Sequence, residues 1–587
     1  MEIRDDLSPV KRRSAVVLIA VFVAVAALNL RLAELQLAEA SMWRQRAENN
    51  RLRRVPLASP RGRIYDRRGR VMADNLATWQ LLLFPDEARD LDDTVLFLAR
   101  TGVVRAGELR EQLETRRIGR LAPLVVAEDL SWAQVASIRS HQSDHPELAV
   151  VSGFRRHYPP AELTAHAVGH LRMLSREEAQ AAPELDPNVL LGATGIEALR
   201  NPFLAGRDGE RYVVVSAVGR ELGVVRGRAA RSGRDLGSTI DLDLQGVAAE
   251  ALGEYGGSVV ALDPTSGAVR VLYSAPSFDP NLFAGRLSRQ QWGQLSQDER
   301  HPLQDRSIQG VYPPGSTIKP FLALAGITDE TIPPQWSVSC RGRVTLHGHP
   351  FRCWRRSGHG TVHLERSLEV SCDSFYYLLG QTLGIGGIAR WLSLFGFEQP
   401  TGIGIGPEAT GLIGTPEWSR RVRGTPWYPG EVVSMSIGQG PLLVTPLQLA
   451  RAYAALANGG TLVTPYIAEP SPDPAGLDLG LDPEALARVV EGLRLVTHGT
   501  EGTARSLARL PVAGKTGTSQ VARLQEGVEV EDLPTHLRHH AWFVAWAPLD
   551  RPRLVVAVIV EHGGGGGSVA APVARAVLET ALDRESS

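Results

Sequence analysis

Pro313-Pro314-Gly315-Ser316-Thr317-Ile318-Lys319 is the stretch that decides how this chain is read. A Pro-Gly pair followed by Ser marks a helix start, and on a helix residues three apart share a face. Ser316 Oγ and Lys319 Nζ are therefore expected within hydrogen-bond reach. Nucleophilic catalysis needs that pairing, because a free serine hydroxyl is a poor nucleophile and a desolvated lysine can supply the base. The plain alternative is that Ser316 only caps the helix. Two further segments weigh against it. Lys515-Thr516-Gly517-Thr518 falls in an expected strand, Lys515 to Ser519, where Gly517 leaves the strand edge clear for an extended ligand. Between the two lies Ser371-Cys372-Asp373, ahead of the apolar run Phe375 to Leu379.

Composition sharpens the choice. Among 587 residues, 63 Lys+Arg face 64 Asp+Glu, for a net charge of -1. That balance offers no general basic surface for a nucleic acid. At 43% hydrophobic residues the chain can build several cores, and at roughly 100 to 200 residues per domain a small disulfide-stapled scaffold is excluded. Lysine occurs only at Lys11, Lys319 and Lys515, with arginine elsewhere. Arginine replaces lysine as a surface charge but does not release its proton near neutral pH. Two of the three lysines thus stand where an amine that can lose a proton is useful.

The elements around these motifs point to an α+β fold. Asp241 to Leu252 is expected as a helix, and Ser258 to Ser274 as a hairpin turning at Asp263-Pro264-Thr265-Ser266-Gly267. Ala541 to Ala547 and Leu554 to Val560 are further strands, followed by the loop Gly563 to Gly567 and an amphipathic helix, Pro572 to Leu582. The C-terminal domain, residues 237–587, is then an antiparallel sheet flanked by helices. Residues 37–236 form a mixed α/β pedestal without a catalytic cluster, including a helix Asp90 to Thr101 and a strand Arg211 to Val218. Its first part, Arg44 to Arg70, is expected as an extended, solvated connector with strands beginning near Gly62. After the basic tail 1–13, the uncharged stretch Ser14 to Leu30 and its helical continuation give one transmembrane helix over 14–36. A cleaved signal peptide is the rival, since Ala24-Val25-Ala26 imitates a processing site.

S-x-x-K, S-x-D and K-T-G in this order resemble the signature shared by penicillin-binding proteins and class A β-lactamases. Arg61-Gly62-Arg63-Ile64-Tyr65-Asp66-Arg67-Arg68-Gly69 and Gly195-Ile196-Glu197 resemble segments of the class B penicillin-binding proteins, so the likeness covers nearly the whole chain. No glycosyltransferase segment of the class A type is recognisable. Asp373 stands where most of the superfamily has Asn; with Cys353-Trp354 and Gly358-His359-Gly360 it resembles the elongation-type members rather than the division type.

The resemblance implies a peptidoglycan D,D-transpeptidase that cross-links stem peptides through a serine acyl-enzyme, requires no cofactor for catalysis and is inhibited by β-lactams. Ser316 is the implied nucleophile and Lys319 the base, with Ser371 relaying protons and Asp373 orienting both. Lys515 and Thr516 are the implied carboxylate binders beside Gly517, and the N–H groups of Ser316 and Thr518 the oxyanion hole. A single-pass place in the cytoplasmic membrane, with the catalytic domain on the outer side, and a RodA-like SEDS glycosyltransferase as membrane partner follow from the same resemblance. A D,D-carboxypeptidase, a β-lactamase and a β-lactam-sensing receptor are the rival functions. The three cysteines leave two readings open: a Cys340 to Cys353 disulfide, or a structural Zn²⁺ held by Cys340, Cys353, His359 and Cys372.

Overall fold

The computed structural model describes residues 8–40, 52–115, 123–181, 189–216, 221–285, 287–470, 476–521 and 533–585. The expected tail residues 1–7, connector residues 44–51 and strand residues 217–218 lie outside them. Two compact units emerge: residues 1–59, 77–154 and 207–231 form one, and residues 60–76, 155–206 and 232–587 the other.

The first unit carries the helix Ser8–Ala33, continued by the π-helical turn Glu34–Ala38. Its segment Arg13–Leu37 has a mean hydropathy of 2.5 and is long and apolar enough to cross a membrane. Leu52–Leu57 is a strand, paired antiparallel with Gly209–Val215, which in turn pairs with Glu221–Arg228. Regular structure thus begins before Gly62, inside the segment expected to be a solvated connector. Arg53 gives the physical reason. It is buried, its guanidinium bound to the Glu87 carboxylate and, at 2.6 Å, to Pro146 O; a run of arginines reads as solvated only while the partner carboxylate is unknown. A separate core of Leu81, Leu83, Phe97, Leu98, Val126 and Ile138 holds the rest of the unit. Its helices are tied at their N-termini: Asp90 accepts from the backbone of Asp92 and Asp93, and Ser131 forms a capping box with Gln134.

The second unit is built on a five-stranded antiparallel sheet in the order Val269–Ala275, Gly257–Leu262, Leu554–Val560, His540–Ala547, Ala513–Ser519. Both faces are covered, so the inner strands His540–Ala547 and Leu554–Val560 are apolar on both sides. Trp542, Val544 and Trp546 face a cluster that includes Phe321, Phe375 and Tyr453, while Phe543, Val556 and Val558 face Leu244, Leu252, Val573 and Val577 from the helices Leu242–Leu252 and Ala571–Glu585. The result is helices, sheet, helices, with Ala513–Ser519 at an edge.

Segments 60–76 and 155–206 belong to this same unit, and the residues of 61–69 and 195–197 explain why. Glu197, with no exposure, accepts from Arg61 Nη2 at 2.7 Å and Arg156 Nε at 2.6 Å. Asp66, also buried, takes the N–H groups of Arg68 (2.9 Å) and Arg70 (2.8 Å) to close a turn at Gly69. A Cβ at Gly62 would sit 1.8 Å from Arg234 O, so only glycine passes there.

Candidate active site

The Ser316 turn is a 3₁₀ turn, Gly315–Ile318, running into the helix Lys319–Thr328. Pro320 sits in the first helical turn, where a missing N–H costs nothing. Gly315 has φ +55° and donates its N–H to Gly438 O at 2.9 Å. A Cβ on Gly315 would come within 2.7 Å of Thr518 O, and one on Gly438 within 2.0 Å of Gly315 O. The turn is thus clamped between the edge strand and the Ser436–Gly440 segment. Trp542 Nε1 donates to Pro313 O at 3.0 Å, and Tyr453 Oη to Thr317 O at 2.7 Å. Ser316 itself stays half-buried, fixed yet reachable. Early N–H groups of a helical turn lack intrahelical partners, which suits Ser316 to stabilising an oxyanion.

Lys319 is completely buried. Its ammonium donates to Asp373 Oδ1 at 2.7 Å, Ser371 O at 3.0 Å and Ser371 Oγ at 3.3 Å, three acceptors for three N–H bonds. Among the described residues no hydrogen bond joins it to Ser316 Oγ. That departs from the expected pairing because Asp373 and the two Ser371 oxygens already take all three N–H bonds. Ser371 reaches this position with φ +52°, a left-handed conformation that a side-chain-bearing residue holds at a cost; it joins the helices Leu364–Glu369 and Asp373–Leu394. The other oxygen of Asp373 accepts the backbone N–H of Trp354 at 2.9 Å.

On the edge strand Lys515, Thr516, Gly517 and Thr518 pair with Val544, Phe543, Trp542 and Ala541. Lys515 is fully buried and donates to Thr516 O at 3.2 Å. Burial pushes its amine well below the usual lysine range, the Lys319 charge adds to this, and Asp373 opposes it. Thr516 Oγ1 lies 2.7 Å from Thr503 Oγ1, and Thr518 O accepts from Gln439 Nε2 at 2.9 Å. Gly517 has a task beyond the one expected. A Cβ there would meet Pro314 O and Thr317 Cγ2 at 2.9 Å, so the missing side chain makes room for the Ser316 turn.

Cys340, Cys353, Cys372 and His359 are buried together, with one ligand atom from each lying within 4.8 Å of the others. All three thiols are unpaired, so the disulfide reading does not hold. His359 Nδ1 is 3.6 Å from Cys340 Sγ and 3.5 Å from Cys353 Sγ. Tetrahedral zinc, with Zn–S of about 2.3 Å and Zn–N of about 2.0–2.1 Å, sets that edge at about 3.6 Å, and both His359 edges match it. A hydrogen bond from Cys372 draws the Cys353 thiol down to about 2 against the effect of burial, with His359 assisting; the same hydrogen bond pushes Cys372 up. Trp354 follows Cys353, so the loop carrying the cluster is also the loop that bonds Asp373.

Trp354 N–H, Gly438, Gln439 and Thr503 escaped the sequence-based expectations. A backbone donor leaves no trace in residue identity. The glycines flanking Gln439 were the available signal for the Ser436–Gly440 segment.

Comparison with known proteins agrees with this arrangement. Residues 257–579 match the penicillin binding protein transpeptidase domain, and residues 56–238 the penicillin-binding protein dimerisation domain. Peptidoglycan D,D-transpeptidase MrdA of Haemophilus influenzae is 33% identical over 98% of this chain and 92% of its own. The penicillin-binding protein PBP2 of Helicobacter pylori, solved in complex with MreC, superposes with a TM-score of 0.77 at 25% identity, covering 91% of this chain and 99% of that one. A structure described as the structural coordination of polymerization and crosslinking by a peptidoglycan synthase complex gives 0.68 at 28% identity, covering 96% and 97%. With the catalytic motifs, the fold and both domain families in agreement, the chain belongs to the class B penicillin-binding proteins and resembles their penicillin-binding protein 2 branch.

Proposed function

We propose that the chain is a peptidoglycan D,D-transpeptidase of the elongation type, and the observation that carries this is the convergence of Ser316, Lys319, Ser371, Asp373 and Lys515 on one edge of the sheet. Ser316 Oγ attacks the carbonyl carbon of the penultimate D-Ala, and its proton passes to Lys319. For that, the Lys319 ammonium must first release a proton, and the Asp373 carboxylate at 2.7 Å is placed to take it. The N–H groups of Ser316 and Thr518 hold the oxyanion. Lys515 and Thr516 hold the terminal carboxylate, whose negative charge favours the proton that burial disfavours on Lys515. Collapse breaks the C–N bond as Ser371 passes its proton to the departing amine and takes one in turn from Lys319, and D-Ala leaves. An amine of a neighbouring stem then attacks the Ser316 ester and passes a proton through Ser371 to Lys319, which returns one to Ser316 Oγ as the ester C–O bond breaks and the new amide forms.

Asp373 needs its partners to keep Lys319 in line, and the Trp354 N–H is one of them. We therefore read Cys340, Cys353, His359 and Cys372 as a structural zinc site. The metal would fix the loop that presents Trp354 and would take no part in the bond changes. Elemental analysis of untagged protein with thiol counting under denaturation tests it. Stoichiometric zinc and three titratable thiols are expected; three thiols without zinc contradict it.

The apolar helix over 14–36 would anchor the chain in the cytoplasmic membrane with the second unit outside, beside a RodA-like SEDS glycosyltransferase that supplies nascent glycan. Support comes from the neighbour described as a synthase complex joining polymerization to crosslinking. Labelling with a fluorescent penicillin and peptide mapping tests the catalytic assignment: one adduct on Ser316, lost in Ser316→Ala. An adduct that persists in that variant would overturn it.

A further inference from the structure

The loop after the helix Pro483–His498 contains no residue that the proposed mechanism uses, yet it touches both sides of the site. Glu501 binds Arg355 at 2.8 Å and also Arg366, while its backbone N–H donates to the buried Glu369 at 3.1 Å. Arg355 lies in the loop between Cys353 and His359, and Arg366 and Glu369 lie on the helix leading to Ser371. Two residues on, Thr503 Oγ1 meets Thr516 Oγ1 at 2.7 Å. The strap is held from within as well: Ala504 donates to Val496 O at 2.9 Å, and a Cβ at Gly499 would lie 2.3 Å from Glu369 Oε1. Above it, Gly567 packs so closely that a Cβ would come within 2.4 Å of Thr503 O. Thr503 therefore has little freedom to move away from Thr516.

A hydroxyl owns one proton. If Thr516 is to donate to a carboxylate, it must accept in its bond with Thr503; if it donates to Thr503, its proton is used up. An approaching anion selects the first state, and donation from Thr503 then polarises the Thr516 hydroxyl in the same direction. We propose that Thr503 is a positioning residue for carboxylate recognition, orienting the Thr516 proton toward the substrate. The proposal rests on the reading of Thr516 as a carboxylate binder.

The test compares acylation by benzylpenicillin with acylation by its methyl ester, which lacks the anion. For Thr503→Val, near in shape but without the donor, acylation by the acid is expected to slow about 3- to 10-fold, the range of one net hydrogen bond. Acylation by the ester should stay unchanged, and Thr503→Ser should restore the acid rate. In a Thr516→Val background, Thr503→Val should add nothing. If Thr516→Val itself fails to separate acid from ester, the carboxylate reading of Thr516 is wrong. If Thr516→Val separates them and Thr503→Val does not, or slows both alike, Thr503 is merely structural and the inference falls.

Discussion

The second unit contains two kinds of buried charge, and they are built from different cations. Around Glu197, and around Asp66 and Asp241, the cation is always arginine: Arg61 and Arg156 on the first, Arg67, Arg68, Arg70 and Arg584 around the others. At the Ser316 turn it is always lysine, Lys319 on Asp373 and Lys515 beneath Thr516. Guanidinium is planar, permanently charged and matched to carboxylates at two points, which serves a knot that must never change protonation state. An ammonium on a flexible stem can be desolvated until it yields its proton, which serves a site where a proton must move. Architecture and chemistry have been divided between the two residue types.

Exchanging the cations breaks the comparison most sharply. Lys319→Arg keeps the charge beside Asp373 but removes the base, and penicillin acylation should fall by about 10²- to 10⁴-fold, measured by stopped-flow labelling with circular dichroism to verify folding. A rate near that of the parent would mean that proton removal from Ser316 does not run through Lys319.

At the arginine knot the loss should be in stability. Glu197→Gln leaves Arg61 and Arg156 buried without a countercharge, at a cost of about 3–5 kcal/mol. Chemical denaturation should show this while the acylation rate of the folded fraction holds. A stable variant with impaired acylation would assign the knot to catalysis.

Lys515→Met is the smallest and the most informative change. It removes a cation that burial disfavours, so the variant should be more stable than the parent at pH 7, by on the order of 1 kcal/mol, while losing most of its carboxylate-dependent acylation. The sign with pH follows from linkage. The folded state holds the Lys515 proton less firmly than the unfolded chain does. The parent's stability therefore rises with pH until the unfolded lysine titrates near about 10.4, and the gap to the variant narrows over that window. A gap that widens from pH 7 to 10 would contradict the burial argument.

The same division explains what could be read from sequence. Three lysines in the whole chain made Lys319 and Lys515 conspicuous, and the apolar runs with the K-T-G motif placed the sheet strands within a residue or two. Arg53 misled for the opposite reason: one arginine among many, its burial depends on Glu87 and Pro146, far away in sequence. Gly517 stood out in its motif, but that its missing side chain makes room for the Ser316 turn is a matter of tertiary approach. The inclusion of 60–76 and 155–206 in the catalytic unit rests on long-range pairs such as Arg61 with Glu197, which no local pattern encodes.

The central claim, that the Ser316 site transfers an acyl group to an amine rather than to water, is tested most directly by product analysis. Purified full-length protein would be supplied with lipid II and an active glycan polymerase, and the digested glycan separated by mass. Cross-linked dimers that vanish in Ser316→Ala are the predicted result; stems trimmed of D-Ala without any cross-link would contradict the account and mark the protein as a carboxypeptidase.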